Sequence, residues 1–405
     1  MIYQNYQTIA NWNEPFRIFA EQAFRFIGQG HKAQDHPLAK GWMAWYEQIS
    51  MMGFTHQRPE FLIQPVVTSD GQSTEIKEEI VSQSPFCHLI RFCKVNTTGL
   101  PKILLAAPMS GHFATLLRST VQTLVQDHDV YLTDWLNVRD IPLSAGEFDL
   151  DAYIDELIGF QRILGPGAHM MGVCQPTVAC LVAASIMAEA ADPCTPASLT
   201  LMAGPIDTRI NPTKVNELAM TKPIAWFEKN LISKVPMQFA GKGRSVYPGF
   251  LQLTAFMSMN TERHKKSFRD LYALRKSGEH EKADAIKDFY KEYFAIMDLA
   301  APFYLQTVEN VFQKHLLPQG AWQYKGRSIH PGALKKTFLL TVEGERDDIC
   351  GIGQTLAAQD LCTRIPPYMK THHLQAGVGH YGVFSGKKWH TQIYPVVRSM
   401  IQSTQ

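Results

Sequence analysis

Residues 102–203 alternate short apolar runs with helical stretches, and this alternation constrains the fold more than any other feature of the 405-residue sequence. The runs at 102–108, 129–133, 169–173 and 199–203 have the length and composition of buried strands. Helical patterns separate them, most clearly at 150–164 and 176–191. An apolar strand, a loop of small residues and a helix form the repeating unit of a parallel sheet. The sequence therefore predicts an α/β fold.

The segments on either side of this stretch have other patterns. Residues 1–60 place Phe16, Ala20, Phe24 and Ile27 at helical spacing, which predicts amphipathic helices. Residues 61–92 are extended and predict an antiparallel start to the sheet.

The alternation breaks after the fourth predicted strand. Residues 205–331 are helical and carry no strand-like apolar run, whereas strand character returns at 337–342 and weakly at 371–374. A helical stretch this long between two strands of one sheet predicts a cap over the sheet edge. We therefore expect a helical N-terminal extension at 1–60, a core at 61–204 and 332–405, and a helical cap insertion at 205–331.

Charge and hydropathy exclude several classes of protein. The chain has 39 Lys and Arg against 37 Asp and Glu, so it lacks the basic excess typical of nucleic-acid-binding proteins. No run approaches the roughly 18 continuous apolar residues of a membrane helix, which predicts no integral membrane segment. The first 30 residues mix polar and aromatic side chains, unlike a secretory signal. We expect a cytoplasmic protein without a nucleic-acid partner; the sequence leaves its oligomeric state open.

The cysteines argue against a disulfide framework and against a zinc site. There are seven, an odd number, and none forms a CxxC pair (Cys87, Cys93, Cys174, Cys180, Cys194, Cys350, Cys362). Free cysteines are most often small buried apolar residues. Six of the seven keep that interpretation.

Cys174 is the exception because of its neighbours in Met171-Gly-Val-Cys-Gln-Pro176, which lies between a predicted strand and a predicted helix. A sharp strand-to-helix turn needs a small residue two positions before its apex, and Gly172 meets this need. The position two after the apex is usually also small; here it is Pro176, which suits the first turn of a helix. The turn would expose Cys174 at a helix N-terminus, where a thiolate is stabilised. The segment predicts a nucleophile.

Candidate partners for Cys174 follow in the chain order that this topology requires, an acid after a late strand and then a histidine after the last strand. The predicted strand 337–342 runs into a loop where Asp347 follows a glycine by three residues, and Asp348 is its close competitor. His380 lies between glycines after the weak last strand, in a loop that can swing the ring over the sheet edge. We predict His380 as the general base and Asp347 as the acid that orients it.

Acyl transfer also needs backbone N–H groups that stabilise the oxyanion of the tetrahedral intermediate. Gln175, directly after the nucleophile, would supply one of them. The other would come from the loop after the first parallel strand, and either Met109 or Ser110 can provide it. Together these features indicate an α/β-hydrolase fold with a Cys-His-Asp triad, a mainly helical cap inserted late in the sheet and a helical N-terminal extension.

Three segments resemble the intracellular polyhydroxybutyrate depolymerases: Gly172-Val-Cys-Gln-Pro176, Val342-Glu-Gly-Glu-Arg-Asp-Asp-Ile349 and Gly379-His-Tyr-Gly-Val-Phe-Ser-Gly386. The likeness covers nearly the whole chain, including the aromatic N-terminal region and the segment around Trp389. Those depolymerases are similar to polyhydroxyalkanoate synthases, which also use a cysteine nucleophile in an α/β-hydrolase core. Proline at position 176 favours the depolymerase branch, because the synthases generally keep a glycine there.

The resemblance implies cleavage of amorphous polyester in cytoplasmic granules, giving 3-hydroxybutyrate oligomers and monomer. It matches Cys174 to the nucleophile, Asp347 to the acid and His380 to the base. The thioester would be released by water or by the thiol of coenzyme A, and the sequence leaves both open. No metal or bound cofactor is required. Eight side chains of the cap are candidates for contact with the polymer, although the simpler interpretation places most of them in the core of the cap itself: Trp226, Phe227, Phe250, Phe256, Met257, Met259, Phe303 and Tyr304.

Two alternatives belong to other classes. A polyhydroxyalkanoate synthase-like acyltransferase would share the Cys-His-Asp set. A non-catalytic granule-surface protein could keep a hydrolase fold, but candidates at all three triad positions argue against it.

Overall fold

The computed structural model describes residues 2–29, 37–51, 53–67, 71–259 and 261–404. The strands are β1 (Val66–Val67), β2 (Ser73–Thr74), β3 (Ile76–Gln83), β4 (Cys87–Lys94), β5 (Lys102–Ala106), β6 (Asp129–Trp135), β7 (His169–Val173), β8 (Ser198–Met202), β9 (Ser233–Lys234), β10 (Ser245–Tyr247), β11 (Leu299–Ala300), β12 (Gln323–Tyr324), β13 (Arg327–Ser328), β14 (Phe338–Gly344) and β15 (Lys370–Gln375).

The helices are α1 (Ile2–Gln29), α2 (Pro37–Met51), α3 (Arg118–Leu124), α4 (Leu150–Leu164), α5 (Pro176–Glu189), α6 (Lys214–Met220), α7 (Ile224–Leu231), α8 (Gly249–Met259), α9 (Thr261–Ser277), α10 (His280–Tyr293), α11 (Ala301–Thr307), α12 (Ala357–Leu361), α13 (Gly386–Lys388) and α14 (Tyr394–Gln402).

Eight strands form the central sheet, in the order β3-β4-β6-β5-β7-β8-β14-β15. β3 pairs antiparallel with β4, and β4 with β6, whereas all the pairs from β6 to β15 are parallel. The antiparallel start and the crossover from β5 to β6 and back to β7 are those of the α/β-hydrolase fold. The predicted fold class is confirmed.

The burial of the strands explains why they could be predicted from their apolar sequences. Every residue of β6, β7 and β8 is buried, because helices cover both faces of a parallel sheet. β3, at the antiparallel edge, is mostly exposed or half-buried. The helix α5 is buried almost all round, as expected for a helix that packs directly behind the strand it follows.

Residues 203–337, here called the inserted segment, connect β8 to β14 and are largely helical. The sequence of this region shows no strand-like apolar run, yet the structure adds short strands to the predicted helices. β9, β10 and β11 form a small antiparallel sheet, and β12 pairs with β13. Each of these strands has only two or three residues, too few to show the alternation that predicts a strand.

The N-terminal helices α1 and α2 pack on the inserted segment. The ring of Tyr6 stacks on Phe250 with 3.9 Å between centroids. The Tyr3 hydroxyl donates to the buried carboxylate of Asp298. The Glu47 carboxylate of α2 forms an ion pair with Arg275 of α9, with 2.6 Å between Oε2 and Nε. No helix in the described part of the chain is long and apolar enough to cross a membrane.

Candidate active site

Cys174 lies at the apex of the tight turn between β7 and α5. Its φ of 65° is in the left-handed region, a strained conformation for a residue other than glycine. Two hydrogen bonds hold the turn: Cys174 N donates to Met202 O at 2.8 Å, and Thr177 Oγ1 donates to Cys174 O at 2.8 Å. Strain of this kind is typical of the nucleophile position in α/β-hydrolases, where it presents the side chain at the sheet edge.

The turn leaves no room for larger side chains beside it. A Cβ on Gly172 would lie 3.0 Å from Cys180 Sγ and 3.1 Å from Thr177 Cα, which explains the glycine two residues before the apex. A Cβ on Gly204 would lie only 1.8 Å from Thr177 Oγ1. Gly204 was missed in the sequence, because its contact joins parts of the chain that are distant in sequence.

The structure brings Asp347 onto His380. His380 Nδ1 and Asp347 Oδ2 are 2.8 Å apart, and both side chains are buried. The other oxygen of Asp347 accepts the N–H groups of Ile349 and Cys350 at 2.9 and 2.8 Å. These bonds fix the carboxylate, and the carboxylate in turn orients the imidazole. The competitor Asp348 is exposed and lines a neighbouring cavity.

The electrostatic surroundings favour a protonated His380. Burial disfavours the charged ring, but the charges of Asp347 and Cys174 and hydrogen bonds to both outweigh it and raise the pKa of His380 well above its usual value. Cys174 is thus one of the groups that act on the charge state of His380. This arrangement suits transfer of a proton between thiol and imidazole.

Most of the other cysteines are held as neutral thiols. Burial, the largest cause in each case, raises the pKa of Cys87, Cys93, Cys180, Cys350 and Cys362. Only thiolates are good nucleophiles, so these five side chains are poorly suited to attack. Cys194 is partly accessible but lies in the loop between α5 and β8, away from His380.

The three predicted oxyanion residues lie together beside Cys174. Gln175, Met109 and Ser110 all line the cavity into which Cys174 opens. The Met109 N–H donates to Gln175 Oε1 at 3.2 Å, so this amide is directed at an oxygen next to the nucleophile. That contact was not foreseen in the sequence, since it depends on a side-chain conformation.

The cavity beside Cys174 has a volume of about 210 Å³ and is mainly apolar. Phe227, Phe303 and Tyr304 line it, as does Tyr247, which stacks on Tyr304 at 3.9 Å. Three of the cap aromatics singled out in the sequence therefore face this cavity. Phe250 packs on α1 instead, and the side chains of Phe256 and Met259 lie outside the described residues.

A second, larger cavity of about 770 Å³ has His380 in its wall, whereas Cys174 lines the smaller one. Lys214, Arg263 and Arg346 line it together with Asp348. The sequence did not point to these cations, because they come from separate elements. Among the described residues, no group of three His, Cys, Asp or Glu side chains could hold a metal ion.

The model of a protein family described as the C-terminus of PHB depolymerases (PHB, polyhydroxybutyrate) matches residues 203–405, half of the chain. The match includes Asp347, His380 and the inserted segment. A search of curated proteins finds no match.

Two solved structures illustrate the similarity in overall shape. A 2-hydroxy-6-oxo-6-phenylhexa-2,4-dienoate hydrolase from Rhodococcus sp. strain RHA1 is 12% identical, with a TM-score of 0.42, and the alignment covers 81% of this chain and 99% of that one. A thermophilic esterase from Thermogutta terrifontis is 14% identical, with a TM-score of 0.41, and the alignment covers 82% of this chain and 99% of that one.

Proposed function

We propose that this chain, which belongs to the PHB depolymerase family, hydrolyses ester bonds of poly(3-hydroxybutyrate) with Cys174, His380 and Asp347 as its catalytic triad. The observations that support the proposal are the strained turn at Cys174, the His380–Asp347 pair joined at 2.8 Å, and the contribution of Cys174 to the raised pKa of His380. The apolar cavity beside Cys174 supports an uncharged acyl group as substrate.

In the first step, the Cys174 thiolate attacks the ester carbonyl carbon, and the carbonyl oxygen becomes an oxyanion. The amides of Gln175 and of Met109 or Ser110 are our candidates for its stabilisation; the Met109 N–H donates to Gln175 Oε1 in this structure and would have to exchange that acceptor for the oxyanion. Collapse of the intermediate breaks the carbon–oxygen bond. Protonated His380 gives its proton to the departing alkoxide, and a thioester remains on Cys174.

In the second step, neutral His380 takes a proton from the acyl acceptor, which attacks the thioester. The carbon–sulfur bond then breaks, which restores the Cys174 thiolate and leaves His380 protonated for the next cycle. Water as acceptor releases a hydroxy acid, whereas the thiol of coenzyme A would release a hydroxyacyl-CoA. We propose water, because hydrolysis needs no further binding site. Mass spectrometry of the products formed with and without coenzyme A separates the two, since only thiolysis gives a CoA ester.

We also propose that the protein associates with the granule surface through six exposed aromatic residues of α1 and α2, here called the aromatic patch: Trp12, Phe16, Phe19, Phe26, Trp42 and Trp45. On α1 they follow the spacing of one helix face. Tyr46 of α2 contacts the ring of Phe19 on α1 with 6.2 Å between centroids, and the ring of Trp42 on its own helix at the same distance. Patches of this kind mark interaction surfaces.

Two observations favour a polyester surface as the partner of the aromatic patch. The charges of α1 balance, with Glu14 and Glu21 against Arg17 and Arg25, whereas helices that bind anionic lipids are rich in lysine and arginine. In addition, α2 packs on α9 through Gln48 Nε2, which donates to Phe268 O at 2.6 Å, and α9 lines the cavity at His380. The patch is therefore connected to the candidate site by a single helix.

Substitution of the nucleophile tests the proposed function. Cys174→Ala removes the attacking atom, so we expect hydrolysis of amorphous polyhydroxybutyrate granules to fall by at least roughly 10³-fold. Cys194→Ala, which removes a partly accessible thiol remote from His380, is the matched control and should keep full activity. Granule hydrolysis that survives in Cys174→Ala would refute the proposal. Chain growth from 3-hydroxybutyryl-CoA without net hydrolysis would favour a synthase instead.

A further inference from the structure

The two cavities at the candidate triad differ in charge. Cys174 lines the smaller, apolar one, and His380 lines the larger one. The larger cavity is also lined by Lys214 from α6, Arg263 from α9 and Arg346 from the loop after β14. Three separate elements thus bring cations to one cavity, and among the described residues that line it Asp348 supplies the carboxylate. This convergence points to an anionic ligand.

A polyester of 3-hydroxybutyrate has a hydroxyl end and a carboxylate end, and this polarity relates the positive charge of the larger cavity to the reaction. When a nucleophile attacks an ester carbonyl, the acyl part leads back to the hydroxyl end of the chain. The departing alkoxide belongs to the part that ends in the free carboxylate. His380 protonates that alkoxide in the proposed mechanism, so the leaving segment lies on the His380 side.

We propose that the His380-side cavity binds the carboxylate-terminal segment of the substrate, and that Lys214, Arg263 and Arg346 receive its free carboxylate. This inference rests on the proposed function, because it requires the ester to be cleaved at Cys174. The walls supplied by Phe289, Tyr293 and Tyr381 offer apolar surface to the methyl-bearing backbone of the segment.

The chemical consequence is a preference for cleavage near the carboxyl end. A short leaving segment places its carboxylate beside the cations, whereas a long segment carries it out of the cavity. Free-acid oligomers should therefore be better substrates than oligomers whose carboxylate is esterified. All three cations are exposed, so each contributes modestly, and added salt should weaken the preference.

A phosphate group would also suit these cations, and coenzyme A carries several. The leaving-segment carboxylate is favoured here because the cavity wall includes His380, the group that protonates the leaving oxygen. The two sources are separable, since the carboxylate acts in the absence of coenzyme A.

The experiment compares kcat/KM for the linear trimer of 3-hydroxybutyrate and for its methyl ester, without coenzyme A. The wild type should prefer the free acid, and the double variant Lys214→Gln/Arg263→Gln should lose roughly threefold to tenfold on the free acid alone, mainly through KM. Arg269→Gln is the matched control, because Arg269 is an exposed cation of α9 that does not line the cavity. It should leave both values unchanged.

Each other outcome overturns the inference. Equal rates for acid and methyl ester in the wild type would remove it while leaving the proposed hydrolysis intact. An equal fall on both substrates in the double variant would show a structural role for the two cations. An unchanged acid preference in the double variant, combined with weaker binding of coenzyme A in a separate titration, would assign the cavity to a phosphate. No turnover of either trimer, or of granules, would overturn this inference and the proposed function together.

Discussion

The strands of the central sheet and the helix α1 both carry regularly placed apolar residues, but they direct them to opposite environments. Every residue of β7 and β8 is buried. On α1, Trp12 is 75% exposed and Phe26 is 80% exposed. The comparison shows that a periodic pattern fixes the type of element without fixing what covers its apolar face. Burying a large apolar side chain contributes about 1.5–3 kcal/mol, so the exposure of several on α1 is the basis of our proposal that this helix binds a partner.

The predicted roles of the two regions are separable: chemistry at the sheet edge, and attachment at the aromatic patch. Variants that remove one role and leave the other test this separation. The sharpest of them changes a buried atom at the site.

Asp347→Asn should lower kcat by roughly 10²- to 10⁴-fold, because an amide cannot hold the imidazole in the required orientation and charge state. The carboxylate raises the pKa of His380, so its loss lowers that pKa. His380 then loses, at a lower pH than in the wild type, the proton that it donates to the leaving alkoxide. The high-pH limb of the kcat/KM profile should therefore move to lower pH, and granule binding should not change.

The neighbouring Asp348 provides the comparison for this variant. Asp348→Asn should lower kcat much less than Asp347→Asn does and should keep the same pH profile as the wild type, because the Asp348 carboxylate is exposed. The assignment of Asp347 fails if Asp348→Asn is the more damaging variant. Asp360→Asn, on the exposed face of α12, controls for the loss of a carboxylate and should behave as wild type.

The opposite variant alters the aromatic patch. Trp12→Ala/Phe16→Ala/Phe26→Ala removes exposed side chains, so we expect granule binding and granule hydrolysis to fall by roughly tenfold or more. Hydrolysis of the soluble trimer should persist, because none of the three residues lines either cavity. Cosedimentation with amorphous granules measures the binding.

Tyr368→Ala is the control for this patch, since Tyr368 is an isolated aromatic residue that is 81% exposed. It should leave granule binding unchanged. If the triple variant binds granules as the wild type does but changes the apparent mass in light scattering, the patch is an interface between two copies of the chain.

Local geometry explains how much of the sheet edge could be predicted. The strand at 169–173 and the helix at 150–164 coincide with β7 and α4. A buried strand and a capped amphipathic helix are determined by residues that are close together in the sequence. The turn at Cys174 was recognisable for the same reason, because the atoms that leave no room for a side chain at Gly172 belong to the helix that follows directly, α5.

Contacts between distant parts of the chain explain what could not be predicted. The hydrogen bond from Met109 to Gln175 and the meeting of Arg263 with Arg346 at one cavity depend on the assembled fold. The exposure of Phe16 also escaped prediction, because helical spacing grouped it with Ala20, which is buried. Helix periodicity alone could not decide whether Phe16 or Ala20 points towards the rest of the protein.

The smallest expected effect on activity concerns a contact that attaches α1 to the inserted segment. Tyr3 of α1 donates its hydroxyl to Asp298, which also accepts the Gly249 N–H at 2.9 Å. Burial raises the pKa of Asp298 to about 6, against the hydrogen bonds and the charge of Arg139, which lower it. A carboxyl with a raised pKa contributes stability that is complete below its unfolded value near 4 and is lost as pH rises through about 6.

Tyr3→Phe removes a donor that stabilises the ionised carboxylate, so the loss should be larger at pH 7, where Asp298 is charged, than at pH 5, where it is mostly protonated. We expect about 1–3 kcal/mol at pH 7, measured as the free energy of unfolding in urea. Tyr368→Phe, which alters an exposed hydroxyl, should have no effect at either pH. An equal loss at both values would mean that Asp298 keeps one charge state throughout. Trimer hydrolysis should survive in Tyr3→Phe, because this contact attaches α1 to the molecule without touching either cavity.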